Sequence, residues 1–378
     1  MRKSTIDLKK VILSVINDLV TDNRVHKVAT SLQKLGFEVL LVGRKLPNSK
    51  PINQRTYETH RMNLFFVKGP VFYIEYNIRL FLYLLFKKAD ILLANDLDTL
   101  PANYYAAKLK RKILVYDSHE YFTEVPELIN RPKKQAIWHK VERKILPTIK
   151  YAYTVSESIA SVYREKYGTP FHVVRNIPVK SEKVNVSVAR NIRIDDRKII
   201  LYQGALNIGR GLEFVIKAMH HLEDTRLIIA GEGDLSVPLR QLTTDLELKD
   251  RITFLGKIPL DEMSYITAQA DLGLSIEEDL GLNYRFALPN KLFDYIRQQV
   301  PIMVSNLPEM KRIVEDYQIG MVLVNHDPEK MAKQLQRALF NEKQRKNWKT
   351  KLVKANDELC WENEEKVLFE LFEPLKNN

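Results

Sequence analysis

The chain has 378 residues, of which 45% are apolar and 28% are charged. This length exceeds what one hydrophobic core usually serves, so two domains are expected, and the composition excludes a disordered or fibrous protein. The single cysteine, Cys360, excludes an internal disulfide framework and favours a cytoplasmic location. The basic start, Met1–Lys10, leads into a stretch that contains Asn17 and Asp18, so we expect no signal peptide.

Positive charge is concentrated in the first half of the chain. The net charge is +12; residues 1–190 contain 33 Lys and Arg against 17 Asp and Glu, whereas residues 191–378 contain 26 against 30. A basic half beside a mildly acidic half indicates two functional surfaces. An anionic membrane, a nucleic acid or an anionic substrate could face the basic half, and the basic side chains could equally do no more than solvate helix faces.

Apolar strand-like runs alternate with helical patterns along the whole chain. In the first half a helix is predicted over Arg24–Leu35, between strands at Val11–Ile16, Glu38–Val42, Ile91–Ala94, Ile113–Tyr116, Tyr151–Val155 and His172–Val174. In the second half a helical stretch, Glu213–Leu222, accompanies strands at Ile199–Tyr202, Arg226–Ala230, Ile252–Phe254, Leu272–Ser275, Pro301–Val304 and Met321–Leu323. Apolar strands separated by helices are typical of parallel sheets covered on both faces. Two such sets predict an α/β protein with two Rossmann-like domains.

We place an N-terminal domain at residues 1–180 and a C-terminal domain at residues 190–354. The join, Pro178–Asp196, is polar and charged and has no core pattern. A last helix, Lys354–Leu375, lies in the segment of about 355–378 that could pack back on the first domain.

Val71–Phe86 is strongly apolar and aromatic. It contains Glu75, Asn77 and Arg79 and is shorter than a membrane-spanning helix. We therefore expect an amphipathic helix that is either buried in the core or in contact with a membrane surface.

A glycine-rich turn follows the strand that opens the second half. Gly204, Gly209 and Gly211 lie between this strand and a helical stretch. Free N–H groups and the helix dipole favour an anion at such a turn, and Arg210 would add a cation with a forked donor. Similar turns also occur without a ligand, so this motif alone does not establish a phosphate site.

Two more clusters follow in the second half. Glu277 and Glu278 come directly after a predicted strand, where carboxylates could accept hydrogen bonds from sugar hydroxyls. Pro289 predicts the start of a helix, which would put Lys291 and Asp294 on one helix face. Lys291 could meet a phosphate while Asp294 binds ribose hydroxyls, or the two could form a simple ion pair.

His119 is the leading candidate in the first half. It follows the strand Ile113–Tyr116 and could donate to a sugar hydroxyl or phosphate or shuttle a proton, although a lone histidine is more often structural. Asn95 and Asp96 follow another strand in the same way.

Asp96–Leu97–Asp98 is a D-x-D pair, but the scattered histidines and single cysteine give no metal-ligand spacing, so no metal site is predicted. The chain contains no Walker motif, which argues against a P-loop NTPase.

Together these motifs resemble the family 4 glycosyltransferases, retaining enzymes of the GT-B fold. In the second half, three motifs of that family are matched: G-R-L-x-x-x-K-G by Gly204–Ala205–Leu206 and Arg210–Gly211, S-x-x-E-x-x-G-L by Ser275, Glu278, Gly281 and Leu282, and P-x-K-x-x-[DE]-Y by Pro289, Lys291, Asp294 and Tyr295. The sequence departs from the pattern at Ala205, where the family has an arginine, and in the spacing of sixteen residues between Glu278 and Asp294.

The first half resembles one branch of the same family. Four motifs of that branch are matched in this sequence: D-x-R-V by Asp18, Arg24 and Val25, D-x-H-E by Asp117–Glu120, T-V-S-E by Thr154–Glu157, and N-x-P by Arg175–Pro178. Each motif alone is weak, and the resemblance to the family rests on their order and spacing along one chain.

The resemblance implies two parallel-sheet domains facing across a cleft and a hexosyltransferase that needs no metal or other cofactor. It would move a sugar from a UDP- or GDP-linked donor to an acceptor hydroxyl with retention. Catalytic roles fall to His119, Glu278 and Arg210. The implied donor-binding residues are Gly204, Arg210, Gly211, Glu277, Glu278, Gly281, Leu282, Asn290, Lys291 and Asp294, and the acceptor side comprises Asp18, Arg24, Asn95 and Asp96. Lys291 would compensate for the arginine missing at position 205.

The implied acceptor is a glycan or lipid-linked glycan of polysaccharide assembly, met in the cytoplasm or peripherally at the inner face of an anionic membrane. Two rival functions stay open. A non-hydrolysing nucleotide-sugar epimerase of the same fold would convert the donor with no acceptor. A basic nucleic-acid-binding protein would leave the Arg210 turn and the acidic cluster unexplained, so no nucleic acid partner is expected.

Overall fold

The computed structural model describes residues 8–20, 22–180 and 190–377. The chain divides into two compact units, one formed by Met1–Asn176 with Glu364–Asn378 and the other by Ile177–Asn363. Part of the predicted join, residues 181–189, lies outside the described residues.

The first unit is built on a seven-stranded parallel sheet. Its strands lie in the order β3-β2-β1-β4-β5-β6-β7, so the sheet grows in both directions from the adjacent strands β1 and β4, as in Rossmann folds. The elements are β1 (Lys10–Asp18), α1 (Asn23–Lys34), β2 (Glu38–Lys45), β3 (Glu58–Asn63), α2 (Pro70–Phe86), β4 (Ile91–Asn95), α3 (Leu100–Lys110), β5 (Ile113–Ser118), α4 (Pro126–Ile129), α5 (Pro132–Ile145), β6 (Tyr151–Thr154), α6 (Glu157–Tyr167) and β7 (Phe171–Val173).

The second unit repeats the design with six parallel strands. Their order is β10-β9-β8-β11-β12-β13, with the reversal between β8 and β11. The elements are β8 (Lys198–Gln203), α7 (Leu212–Ala218), β9 (Thr225–Ala230), α8 (Ser236–Asp245), β10 (Ile252–Gly256), α9 (Leu260–Ala268), β11 (Leu272–Ser275), α10 (Leu282–Arg285), α11 (Asn290–Arg297), β12 (Ile302–Ser305), α12 (Pro308–Tyr317), β13 (Gly320–Leu323), α13 (Pro328–Phe340), α14 (Glu342–Glu358) and α15 (Trp361–Phe372), the last of which ends in the first unit.

The prediction of two Rossmann-like domains is confirmed. Each of the twelve predicted strands is present with its ends shifted by at most two or three residues. The central strands are buried on both faces, as in the run Ile91–Asn95, and this is why their continuous apolar sequences identified them.

The sequence prediction missed β3 and joined two helices into one. β3 (Glu58–Asn63) pairs only with β2 at the edge of the sheet and buries little beyond Met62, so it has no apolar pattern. The predicted single helix Lys354–Leu375 is wrong, because α14 ends at Glu358 and α15 begins at Trp361. The side-chain amide of Asn363 donates to the carbonyl of Glu358 at 2.8 Å. This carbonyl is at the end of α14, where carbonyl groups have no partner within the helix.

The C-terminal residues complete the core of the first unit. Phe372 is fully buried, and its ring meets the ring of Phe37 edge-on, with 6.0 Å between centroids. Glu365 accepts a hydrogen bond of 2.7 Å from the hydroxyl of Ser31 on α1. These contacts tie the end of the chain to its first helix.

We expect Phe372→Ala to destabilise the first unit by about 3–5 kcal/mol, because it leaves a cavity in a buried aromatic cluster. Phe340→Ala, at a half-exposed position on α13, is the matched control and should cost far less. Denaturant unfolding with hydrogen exchange at α1 and β2 measures the change. Equal effects of the two substitutions would contradict the assigned role of the C-terminal segment.

Candidate functional site

The candidate residues lie where the strand order of each sheet reverses. In the second unit Gly204 follows β8 and Glu277 follows β11, and these two strands are neighbours. In the first unit Asp96 follows β4, the neighbour of β1. Open parallel sheets bind ligands outside the carboxyl ends of strands at such reversals.

The glycine-rich turn has a backbone that other residues could not adopt without strain. Gly204, Gly209 and Gly211 have φ angles of 131°, 82° and 71°. A Cβ atom on Gly211 would lie 2.3 Å from the carbonyl oxygen of Ile276. The N–H of Glu278 donates to the carbonyl of Gly209 at 2.9 Å, so the turn is joined to the acidic loop after β11.

Glu277 gathers the basic side chains of the site. Its carboxylate is fully buried and accepts hydrogen bonds from Lys291 Nζ at 2.9 Å and Ser275 Oγ at 2.8 Å, with Arg210 Nη1 at 3.5 Å. Burial raises the pKa of Glu277, but Lys291, Arg210 and Ser275 outweigh burial and lower this pKa below its ordinary value. The ionised carboxylate therefore holds two cations side by side.

Aromatic rings support the same two cations. Lys291 Nζ lies 4.0 Å from the centre of the Tyr202 ring, and the Arg210 guanidinium lies 5.4 Å from the centre of the Tyr284 ring. Arg210 Nε is buried and has no hydrogen-bond partner among the described residues. A buried donor without a partner is costly unless a ligand accepts from it.

Asp294 lies on α11 with Lys291, as the spacing predicted, but the two do not pair. Asp294 Oδ2 accepts a hydrogen bond of 2.8 Å from Gln203 Nε2, and Gln203 Oε1 accepts one of 2.8 Å from Thr267. These two hydrogen bonds hold the half-buried carboxylate of Asp294 at the end of β8. Asn290, the first residue of α11, is exposed.

The acids after Glu277 have different surroundings from it. The half-buried side chain of Glu278 makes no hydrogen bond or ion pair within the described part of the chain, whereas Asp279 pairs with Arg285 at the surface. Gly281, with a φ of 139°, precedes α10, and Leu282 is the first residue of that short helix and is exposed.

Arg24 and Asp117 form a buried ion pair in the first unit. Arg24 donates from Nε at 3.1 Å and from Nη2 at 2.7 Å to the two carboxylate oxygens, and from Nη1 to the carbonyl of Val174 at 2.9 Å. Burial lowers the pKa of Arg24, but Asp117 outweighs it and raises this pKa. All three guanidinium nitrogens of Arg24 are thus bonded inside the unit.

His119 is held between two carboxylates. Its Nδ1 lies 3.1 Å from Asp96 Oδ2, its Nε2 lies 3.1 Å from Asp117 Oδ2, and its backbone N–H donates to Asp96 Oδ1 at 2.8 Å. Burial lowers the pKa of His119, but Asp96 and then Asp117 outweigh burial and raise this pKa well above its ordinary value. The two flanking carboxylates therefore favour the imidazolium form of the side chain.

The turn after β4 carries the D-x-D pair. Asp96 adopts a left-handed backbone with a φ of 61°, which is uncommon for a residue other than glycine. Asn95 is buried; its amide donates to the carbonyl of Ser14 at 3.0 Å, and its Oδ1 lies 3.3 Å from His119 Nε2. Burial, followed by Asp96 and Glu120, raises the pKa of Asp98 well above its ordinary value. Among the described residues, no three His, Cys, Asp or Glu side chains are grouped to hold a metal ion.

The aspartate of the D-x-R-V motif is Asp22 rather than Asp18. Asp22 precedes Arg24 by two residues, and its side chain caps α1 by accepting from the N–H of Val25 at 3.1 Å. Asp18 ends β1, where it accepts from the hydroxyl of Ser49 and lies 3.5 Å from Arg61. The motif therefore sets the start of the helix that carries Arg24.

Two protein families match this chain, one over each half. Residues 22–178 match the family described as Glycosyltransferase Family 4, and residues 187–354 match Glycosyl transferases group 1. The two halves thus define a glycosyltransferase of the GT-B type. The chain belongs to the family 4 glycosyltransferases.

Two curated relatives match parts of the chain. An uncharacterized glycosyltransferase of Methanocaldococcus jannaschii is 26% identical over 163 residues, 42% of this chain and 40% of its own length. The O-antigen chain mannosyltransferase RfbU of Salmonella typhimurium is 28% identical over 189 residues, 47% of this chain and 46% of its own length. The match therefore spans less than half the length of either relative.

Solved structures share the fold over nearly the whole chain. Sucrose-phosphate synthase from Thermosynechococcus elongatus superposes with a TM-score of 0.78 at 16% identity, covering 97% of this chain and 99% of that one. Anabaena HepE in complex with UDP-glucose has a TM-score of 0.74 at 12% identity, covering 98% of this chain and 100% of that one. A Listeria monocytogenes protein described as a putative UDP-N-acetylglucosamine 2-epimerase has a TM-score of 0.65 at 15% identity, covering 98% of each chain. Fold alone therefore does not separate transferase from epimerase.

α2 is strongly apolar and has 17 residues. In the part of the chain that the structure describes, no helix combines the length and the apolar character needed to cross a bilayer.

His119 should titrate above His26 and His60 of the same unit. Burial lowers the pKa of His26 and of His60, whereas the carboxylates beside His119 raise its pKa. NMR titration of the imidazole signals should therefore show His119 charged at a pH where His26 and His60 are neutral. Asp96→Asn should lower the pKa of His119 and leave that of His26 unchanged; an unshifted His119 in the native protein would contradict the assignment.

Proposed function

We propose that this protein is a retaining hexosyltransferase that moves a sugar from a nucleoside diphosphate sugar to an acceptor hydroxyl. One observation carries the proposal. Arg210 and Lys291 are held together over the buried carboxylate of Glu277 at the strand reversal of the second unit. Two cations against one anion leave a net positive charge, which suits a diphosphate.

The diphosphate would be bound by Arg210, Lys291 and the backbone of the glycine-rich turn. Lys291 takes the place of the arginine that the family has at the position of Ala205. Its ammonium group lies next to the glycine-rich turn, since a Cβ atom on Gly204, the neighbour of Ala205, would be only 3.6 Å from Lys291 Nζ. The unpartnered Nε of Arg210 supplies a further donor. Fixed cations stabilise the charge that develops on the leaving diphosphate, and this is the main catalytic requirement.

Asp294 would accept hydrogen bonds from ribose hydroxyls, with Asn290 and Leu282 nearer the surface of the donor site. Between the two acids left open by the sequence, Glu278 suits the sugar hydroxyls better than Glu277. Glu277 is buried and already serves Lys291 and Arg210, whereas Glu278 is half-buried and keeps its carboxylate oxygens for a ligand. Gly281 would allow the loop to approach the sugar closely.

The His119 cluster would serve the transferred sugar and the acceptor. As an imidazolium His119 offers N–H groups and positive charge, and it cannot act as a base while it carries both protons. We therefore assign proton acceptance from the acceptor hydroxyl to the leaving phosphate oxygen, which gives front-face displacement with retention and involves no metal. Asn95 and Asp96 orient His119, and Arg24 orients Asp117.

The acceptor we propose is a glycan, carried on a lipid diphosphate or a growing polysaccharide at the cytoplasmic face of a membrane. The excess of positive charge in residues 1–190 supports an anionic surface as its setting. An epimerase of the same fold is the second candidate. Incubating the donor alone distinguishes them, since only an epimerase would release a new sugar isomer.

Donor binding should depend on Lys291 and Arg210. We expect Lys291→Ala and Arg210→Ala each to weaken the binding of UDP or GDP, whichever the native protein binds, by well over tenfold, because each removes a charge-assisted contact to the diphosphate. Arg285→Ala is the matched control, since Arg285 is exposed and pairs with Asp279 in the neighbouring loop. Titration calorimetry measures the affinities, and unchanged affinity in Lys291→Ala would refute its role.

His119 should matter for turnover rather than for nucleotide binding. We expect His119→Ala to reduce sugar transfer at least tenfold while the affinity for the nucleoside diphosphate stays within about twofold. His139→Ala, at a half-buried histidine on α5 of the same unit, is the control. Near-normal transfer in His119→Ala, with a melting temperature like that of the native protein, would exclude the proposed site.

A further inference from the structure

α2 is apolar on two opposite faces, and only one of them packs in the core. Its buried residues, Phe72, Tyr76, Leu80 and Leu84, recur every four positions and lie among the side chains of the sheet and α3. Its exposed residues, Val71, Ile74, Ile78, Leu82 and Phe86, recur with the same helical period of about 3.6 residues on the other side. Exposed apolar stripes of this kind mark sites of protein or membrane interaction.

The loop before α2 extends the exposed face. Phe65, Phe66 and Val67 are all exposed, Phe65 to 85%. Glu75, the acid of the helix, accepts hydrogen bonds from the N–H groups of Phe65 and Phe66, both at 2.9 Å. The carboxylate is thus used to hold two aromatic side chains at the start of the apolar face, and its charge is offset by Arg79 at 2.9 Å.

Basic side chains flank both ends of this face. Lys68 precedes α2, and Lys87 and Lys88 follow it; none of the three forms an ion pair with another described residue. A groove of about 660 Å³ between β3 and α2 has Lys87 among its lining residues. Lysines at both ends and an apolar middle are the pattern of a helix that lies flat in the headgroup region of a membrane.

We propose that the face formed by residues 65–67 and by Val71, Ile74, Ile78, Leu82 and Phe86 docks on the surface of an anionic bilayer. Apolar side chains would enter the boundary between headgroups and acyl chains, and Lys68, Lys87 and Lys88 would contact lipid phosphates. Charge complementarity favours a lipid surface over a second copy of the chain, since a symmetric pair would bring the same lysines together. The proposal rests on the proposed function only in that a lipid-linked acceptor would be met there.

Sedimentation with lipid vesicles tests the proposal. The native protein should bind vesicles of phosphatidylcholine mixed with phosphatidylglycerol, less strongly at high salt, and should bind pure phosphatidylcholine vesicles more weakly. The double variant Ile74→Gln, Ile78→Gln should lose at least tenfold in binding, because each apolar side chain kept out of the bilayer is worth roughly a factor of ten. The control variant Val237→Gln, Val353→Gln, at exposed positions of the second unit, should bind like the native protein.

Two outcomes would overturn the proposal. One is a native protein that does not bind the anionic vesicles, or a double variant that binds them as well as the control. The other is a native dimer, seen by sedimentation velocity, that the same substitutions dissociate, which would assign the face to a second copy. Nucleoside diphosphate binding, measured on the same samples, separates the membrane proposal from the proposed function. A native protein that binds vesicles but no nucleoside diphosphate would refute the donor site and leave the membrane result standing.

Discussion

The buried carboxylate of Glu277 is the constraint on which the candidate site of the second unit depends. A carboxylate removed from water must be paired, or folding would neutralise it. Glu277 follows β11, Arg210 belongs to the turn after β8, and Lys291 belongs to α11, so one ion cluster joins three separate segments. The cluster therefore stabilises the site in the absence of a ligand and at the same time places two cations where a diphosphate can share them.

The first unit uses the same interaction with a different balance of charge. Arg24 and His119 are cations, and Asp96 and Asp117 are the carboxylates that hold them. The four charges cancel, so this cluster attracts an anion less than the Glu277 cluster does. An imidazolium fixed between two carboxylates is better suited to orient hydroxyl groups than to hold a diphosphate, which agrees with assigning the nucleotide to the second unit.

The sequence predicted the fold better than the site because continuous apolar runs identify central strands, whereas the roles of neighbouring acids depend on burial. Glu277 and Glu278 are adjacent and chemically alike, and only the folded chain shows that one is buried under Lys291 and the other is half-exposed. The spacing of Lys291 and Asp294 predicted a shared helix correctly, but their partners come from β11 and β8. The charge of His119 depends first on Asp96, more than twenty residues earlier in the chain, and then on Asp117, so the local D-x-H-E motif shows only one of the two carboxylates.

The sequence of α2 fitted both a core helix and a membrane-contacting helix, and the structure gives this helix one buried face and one exposed apolar face. Its polar residue Asn77 joins these faces to the candidate site. Asn77 donates to the carbonyl of Asp98 at 2.8 Å and accepts from the N–H of Ala102 at 3.2 Å, which fixes α2 against the turn that holds Asp96 beside His119. Tyr76 adds a hydrogen bond of 2.7 Å to the carbonyl of Val15 on β1. A surface docked through α2 would therefore be held at a constant distance from His119 within the same unit, and an acceptor anchored in the membrane would meet this site at a fixed depth.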